Sequence, residues 1–345
     1  MAKVAVALSG GLDSSVTALL LKQRGFDVCG ITGKMVSTEN ADNIINNAKA
    51  VANFLGIDFY PFDVTQEFQQ HVIDYFDNSY KLGKTPNPCI MCNKFIKWGT
   101  LFDYAIDKLG VDYIATGHYA NIKEDNGIFK LYPAKDTKKD QLYFLFQLSQ
   151  KQLSKTLFPL CTYEKSEVRN IAVSNNLPTK SSKESQDICF IQKPMTTKKY
   201  LNEKIKIHKG EFRDIITNQV LGTHDGYFQY TIGQRKGIGI AALEPLYVVD
   251  IDAQNNIVFV GNKECTYKKE LILNNFNQSY QFKAKDFMAM VKIRYNMQPV
   301  EARIIISGNN HIRVIFDEPV SAVAKGQACV LYDINDGHLL GGGFI

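Results

Sequence analysis

No apolar run in the 345-residue chain approaches the roughly 20 residues that span a bilayer, so no membrane partner is expected. The one apolar stretch near the start, Val4 to Leu8, is too short and too closely bounded by glycine for a signal peptide. Low-complexity tracts and convincing internal repeats are also missing. Seven cysteines without an export signal point to a reducing, cytoplasmic setting, where cysteines serve as metal ligands or catalytic groups rather than structural staples. The lysine-bearing triphosphate loop GxxxxGK[ST] is absent too. Gly30 to Met35 (GITGKM) is the nearest approach, but it is too short and has no hydroxyl residue after Lys34.

With 45% apolar and 22% charged residues, the composition is that of an ordinary globular protein, long enough for two or three domains. The first half alternates strand and helix patterns: Lys3 to Leu8, a helix to about Gln23, Asp27 to Thr32, a helix Ala41 to Leu55, and Asp58 to Asp63. Helices over Thr65 to Leu82 and Ile96 to Leu109 and a strand Tyr113 to Thr116 follow. This predicts an α/β fold with a doubly wound parallel sheet of five strands. From about Lys209 glycines and alternating apolar residues take over. Gly226 to Gly239, Tyr247 to Ile251, Ile257 to Val260, Val291 to Tyr295, Ala302 to Ile306, Ile312 to Phe316 and Ala328 to Leu331 read as strands of a small β-rich domain and a terminal barrel. The expected division is 1–200, 201–262 and 263–345.

Ser9 to Ser15, SGGLDSS, falls between the first strand and the first helix. Gly10 and Gly11 let a ligand approach the backbone, and Asp13, Ser14 and Ser15 lie where free N–H groups and the positive end of the helix dipole meet. The loop therefore suits an anion. It resembles the pyrophosphate loop of ATP pyrophosphatases, which split ATP between its α and β phosphates and leave AMP on a substrate oxygen.

A second constellation is TPNPCIMCNK, Thr85 to Lys94. Pro86 and Pro88 are expected to exclude helix and present Cys89 and Cys92 on a stiff loop. A structural zinc wants four ligands, and no second CxxC or close histidine pair follows. Cys189, in SKESQDICFI, is the other cysteine in polar surroundings; Cys29, Cys161, Cys265 and Cys329 read as small core residues. Three such cysteines beside nucleotide chemistry suggest sulfur handling. Lys193 to Lys209 carries six lysines against the single acid Glu203, either a solvated face or a nucleic-acid footprint.

SGGLDSS, TPNPCIMCNK, ATGHY (Ala115 to Tyr119), KDQLYFLF (Lys139 to Phe146), SQDICFI, GTHDGYFQYTIGQRKGIGI, FDEPVSAVAKGQACVLY and the terminal GGG, in that order over nearly the whole chain, resemble the bacterial tRNA-specific 2-thiouridylases. The resemblance implies transfer of AMP to O2 of the wobble uridine, then displacement of AMP by sulfur carried as a persulfide on Cys189, with Cys92 as the other catalytic cysteine. ATP would meet Ala7, Leu8, Ser9, Gly10, Gly11, Leu12, Asp13, Ser14, Gly33 and Gly117, with Mg²⁺ in attendance. Asn87, Pro88 and Cys89 would meet the flipped uridine; Lys139, Asp140, Gln141, Arg294 and Tyr295 would touch tRNA. Gly33 stands where a bulkier apolar residue is common, so its contact would be through backbone alone. His118 is as well read as a satisfied loop histidine as a catalytic one. The implied partners are the tRNAs for Lys, Glu and Gln and a cysteine desulfurase or sulfur-relay protein.

One departure matters. Many members carry aspartate, a proposed acid-base group, where this chain has Cys89. Cys89, Cys92 and Cys189 are therefore also a ligand set for an iron-sulfur cluster, with the persulfide route preferred. Two other readings give way: a small-molecule amidotransferase lacks a glutaminase domain and an N-terminal nucleophilic cysteine, and a binding module without catalysis would not need the intact loop.

Overall fold

Alternation along the first strand decides the architecture. In a computed structural model, which describes all residues except 183–187, 193, 207–208, 283 and 309–310, β1 (Lys3–Ala7) sends Val4 and Val6 to one face and Ala5 to the other. Both faces are buried, so both need helices. β2 (Asp27–Lys34) and β3 (Asp58–Asp63) lie parallel on one side of β1, and β4 (Tyr113–Ala115) on the other. β5 (Asn121–Asp125) and β6 (Ile128–Tyr132) form a separate hairpin, and β7 (Thr156–Leu157) completes the sheet in the order β3-β2-β1-β4-β7. Helices Leu12–Gln23, Glu39–Leu55 and Lys165–Ser174 cover one face; the helical run between residues 65 and 108 covers the other. This is the doubly wound sheet that the strand-helix alternation predicts.

β8 (Gly210–Asp214), β9 (Val220–His224), β10 (Tyr247–Asp252) and β11 (Ile257–Gly261) form a four-stranded sheet, β10-β11-β8-β9, whose core includes Phe76 of the first domain. β12 (Tyr267–Gln278), β13 (Asp286–Lys292), β14 (Val300–Ile306), β15 (Ile312–Ser321), β16 (Ala328–Tyr332) and β17 (Leu339–Phe344) close into a barrel in the order β12-β15-β14-β13-β16-β17. β16 is buried on both faces. Cys329 and Leu331 fill the barrel, while Ala328, Val330 and Tyr332 join the core of the α/β domain, where the Tyr143 hydroxyl donates to the Ala328 carbonyl at 2.8 Å.

Three expectations need correction. Residues 226–239 are a single 3-10 turn, Tyr227–Gln229, within loop rather than a strand, because Gly226, Gly233, Gly237 and Gly239 all take positive φ, which breaks an extended run. The helix expected from Ile96 starts at Pro88: proline is well tolerated in a first helical turn, and Asn87 caps it through Oδ1 to the Cys89 N–H at 3.2 Å. The helix over residues 65–81 is continuous, but Gln69–Ile73 is π-helical.

Candidate active site

The anion cradle follows from the glycines. Gly11 precedes the helix Leu12–Gln23 in extended backbone and offers no side-chain cap, so the first-turn N–H groups have no side-chain acceptor at the N-cap. Gly10 has φ +67°, and a Cβ there would stand 2.8 Å from Asn47 Cβ and 2.9 Å from the Ile44 carbonyl. Ser14 and Ser15 hydroxyls donate to the Gly11 carbonyl at 3.2 and 2.8 Å, and the Ser9 N–H donates to Ser14 Oγ at 3.1 Å, which fixes the turn. Ala7 ends β1, and the Leu8 N–H continues the pairing to Ile31 at 2.9 Å. Gly117 lies directly against this loop: a Cβ would come 2.9 Å from Asp13 C and Cβ and from Ser14 N. At Gly33 the space for a side chain is taken by Val64 and Leu101.

The loop has no lysine of its own, but the fold delivers one. Lys165, at the start of the helix Lys165–Ser174, donates to both Asp13 carboxylate oxygens at 2.7 Å, and the Tyr119 hydroxyl donates to Asp13 Oδ1 at 3.1 Å. Sequence reading does not reach Lys165, because it lies 152 positions from Asp13 and nothing local marks it.

The cysteines divide in exposure. Cys89 and Cys189 are exposed, whereas Cys92 is turned toward the core at 8% exposure, which corrects the expectation that the loop presents both members of the CxxC. All three are free thiols. Burial pushes the Cys92 thiol up to about 12 and the Cys189 thiol to about 11, and raises Cys89. Cys89 and Cys189 thus reach solvent although their sulfurs are largely surrounded by protein. Cys89 acts on the charge of both other thiols and Cys189 on that of Cys92, so the three share one site. Phe190 anchors Cys189, meeting Phe76 edge-on at 5.3 Å. Ser185, Gln186 and Asp187 of the SQDICFI motif lie outside the described residues.

Residues Cys92–Leu101 are π-helical. They carry a residue that the motifs do not single out, Lys97, whose Nζ donates to His118 Nε2 at 3.3 Å. An ammonium only donates, so Nε2 accepts and Nδ1–H points to Thr116 Oγ1 at 2.7 Å. Burial, then Lys97, hold His118 well below the usual histidine range, so the ring is neutral at physiological pH.

The expected tRNA contacts fall on one corner but are not alike. Asp140 accepts from the Ala134 and Leu142 N–H groups at 3.2 and 3.1 Å, and Gln141 Oε1 accepts from the Tyr119 N–H at 3.1 Å, so both side chains face inward. The Tyr295 hydroxyl donates to the Asp140 carbonyl at 3.2 Å and its ring packs on Phe144, which docks the barrel on this loop. Arg294 beside it is exposed, and Lys139 is half-buried. Lys198, Lys199, Lys204 and Lys206, on and just after the helix Thr197–Lys204, are exposed; Lys193 and residues 207–208 of that segment lie outside the described residues. Among the described residues, one group of three potential ligands has all its ligating atoms within 4.8 Å, Asp333, Asp336 and His338 on the barrel; the three cysteines are not gathered so closely.

A helix start stripped of its cap at the first crossover of a parallel sheet is where such sheets bind nucleotides. With free thiols carried on the same domain, the fold and site define a nucleotide-activating α/β enzyme equipped for sulfur chemistry. Three family models match in succession: the tRNA methyl transferase HUP domain over residues 2–193, the tRNA methyl transferase PRC-barrel domain over 198–262 and the aminomethyltransferase beta-barrel domain over 268–345. The chain is 42% identical over 351 residues to the tRNA-specific 2-thiouridylase MnmA of Nostoc sp., covering 100% of this chain and 99% of that protein. It is 42% identical to the protein of that name from Clostridioides difficile, with 99% and 98% covered. The chain belongs to the tRNA-specific 2-thiouridylase family. Among solved structures, the U34-tRNA thiolase NcsA of Methanococcus maripaludis, described with its [4Fe-4S] cluster, is a distant likeness at TM-score 0.37 and 20% identity, covering 59% of this chain and 63% of that one.

Proposed function

We propose that this chain is an ATP-dependent tRNA uridine 2-sulfurtransferase. The supporting observation is a pair of consecutive residues: the Gly117 backbone lies against Asp13 of the phosphate loop, and the His118 ring binds Lys97 of the cysteine site. Nucleotide activation and sulfur delivery thus converge within one loop.

In this reading O2 of the wobble uridine attacks the α phosphorus of ATP and pyrophosphate leaves. The terminal sulfur of a Cys189 persulfide then attacks C2, and AMP departs with the oxygen. The Cys92 thiolate attacks Cys189 Sγ; the bond to the outer sulfur breaks, its electrons form the thiocarbonyl, and a Cys92–Cys189 disulfide remains for an external dithiol to reduce. Burial keeps Cys92 protonated at rest, which guards against premature disulfide formation. Lys165 would turn from Asp13 to the phosphates. Mg²⁺ would accompany ATP and neutralise phosphate charge, with the Asp13 carboxylate as the oxygen ligand at the loop. An iron-sulfur cluster held by Cys89, Cys92 and Cys189 is the alternative route and is not favoured.

Asn87, Pro88 and Cys89 are proposed to meet the uridine, Lys139 and Arg294 the tRNA backbone, and Asp140, Gln141 and Tyr295 to shape that surface. The substrates are proposed to be the tRNAs for Lys, Glu and Gln, the sulfur source a cysteine desulfurase or relay protein, and the working division 1–200, 201–262 and 263–345.

The test is the product. With tRNA present, ATP should yield AMP and pyrophosphate; ADP would overturn the reading. Asp13→Ala should abolish turnover and leave tRNA affinity within a few fold. Cys92→Ser and Cys189→Ser should eliminate thiolation while Cys89→Ala keeps part of it. Iron in the wild type, lost together with activity in Cys89→Ala, would replace the persulfide route with a cluster.

A further inference from the structure

Lys97 is a half-buried cation without a carboxylate partner among the described residues; its hydrogen bond goes to a neutral ring, His118. A lone ammonium taken partly out of water is unfavourable unless an anion comes to it. Asp13 is paired with Lys165 at 2.7 Å. What the Lys97 charge reaches instead is sulfur. Among the described residues its charge acts on Cys89, Cys92 and Cys189, and no other cation acts on any of them. The titratable groups on which its charge acts are thus these three thiols and His118; Lys183, Glu184 and Asp187 lie outside the described residues.

The helix geometry explains how Lys97 reaches them. Cys92 and Lys97 are five positions apart, which in an α-helix of 3.6 residues per turn puts them well over a third of a turn out of line. Residues Cys92–Leu101 close i to i+5 hydrogen bonds, and in that register positions five apart come nearly into line. The π-helix therefore carries the ammonium to the Cys92 side of the site. The same turn brings it to His118, whose Thr116 hydrogen bond fixes the tautomer that accepts from it.

We propose that Lys97 is the counter-cation of the cysteine site, holding the outer sulfur on Cys189, and then the Cys92 thiolate that releases it, as anions. Each sulfur loses its proton to solvent, and Lys97 stays protonated throughout. Negative charge passes from persulfide to departing AMP and from Cys92 to the thiocarbonyl, always beside one fixed positive charge. Lys97 acts through the sulfurs and is a positioning residue of the reaction. Its purpose rests on the thiolation reading; its effect on the thiols does not.

The test needs neither ATP nor tRNA. Full-length wild type, Lys97→Met and Lys97→Arg are treated with iodoacetamide across pH 6.5–9.5, and modification of each cysteine is followed by peptide mass spectrometry. At neutral pH the Cys189 rate should fall roughly tenfold in Lys97→Met, as removal of a nearby opposite charge implies. Lys97→Arg, which keeps the charge, should stay within about threefold of wild type, and the Cys265 rate should not change. Superimposable Cys189 profiles for wild type and Lys97→Met would overturn the proposal. Should Lys97→Met fail to fold, the wild type alone decides. Anionic iodoacetate, relative to neutral iodoacetamide, should be favoured several-fold at Cys189 over Cys265, and equal ratios would sink the idea. Normal chemistry on tRNA with unchanged alkylation would reject Lys97 and leave the thiolation reading intact.

Discussion

Single residues of this site are constrained by what stands next to them rather than by their own chemistry. Gly117 is the clearest case. A methyl group there would press on the Asp13 and Ser14 backbone at 2.9 Å, and backbone cannot swing aside as a side chain can. Gly117→Ala should cost about 1–3 kcal/mol of stability and weaken nucleotide binding more than tenfold, read by thermal unfolding and nucleotide titration. Asp140 gives a prediction with a pH signature. Burial raises its carboxyl from 3.8 to about 6, so the folded state holds the proton more tightly than the unfolded one. Its contribution to stability is full below pH 4 and is lost as pH rises through 6. In Asp140→Asn, the plot of melting temperature against pH should be flatter between about pH 4 and 6 than in wild type; parallel plots would show that the carboxyl is not buried in solution.

At the scale of elements, the helix Thr197–Lys204 and the residues just after it expose Lys198, Lys199, Lys204 and Lys206 to solvent. If tRNA phosphates dock there, replacing all four with Gln should lower the slope of log affinity against log salt by about 0.7–0.9 per lost contact. An unchanged slope would mark the segment as a solvated face. What the sequence discloses about elements depends on how local their causes are. The strand, glycine turn and helix around Ser9 to Ser15 are legible because every contributor is within a dozen residues. Residues 226–239 mislead because alternating apolar residues mimic a strand while glycines at positive φ decide otherwise. Pro88 reads as a helix breaker until Asn87 is recognised as a cap, which makes the same proline a helix start. Lys165 and Lys97 are illegible for different reasons: the first acts across 152 positions, and the second matters only once the register at Cys92 is known to be π rather than α. Asp140 and Gln141 belong to a recognisable motif, yet their side chains point inward, which no spacing reveals.

For the molecule as a whole, the barrel is part of the structure of the site. The Thr85 N–H donates to the Lys325 carbonyl at 2.8 Å and Gln327 Nε2 donates to the Thr85 carbonyl at 2.7 Å, so the approach to Cys89 is gripped by a barrel turn. Gly326 makes that grip possible, since a Cβ there would lie 2.9 Å from Lys84 Cβ. Cutting the chain after residue 262 should therefore yield an aggregating product rather than a stable catalytic domain. Calorimetry of the full chain should show the barrel and the α/β domain melting together; a separate low-temperature transition for residues 263–345 would count against this.

The shared core also bears on how the protein is made. Tyr143 and Phe146 leave the ribosome long before Ala328, Val330, Leu339 and Gly342, the residues that pack against them or share their core. At synthesis rates of about 5–20 residues per second, an aromatic face waits on the order of ten seconds or more for its cover. During that interval the exposed aromatic face is the kind of surface that holding chaperones bind, and this side of the α/β core closes only when β16 and β17 arrive.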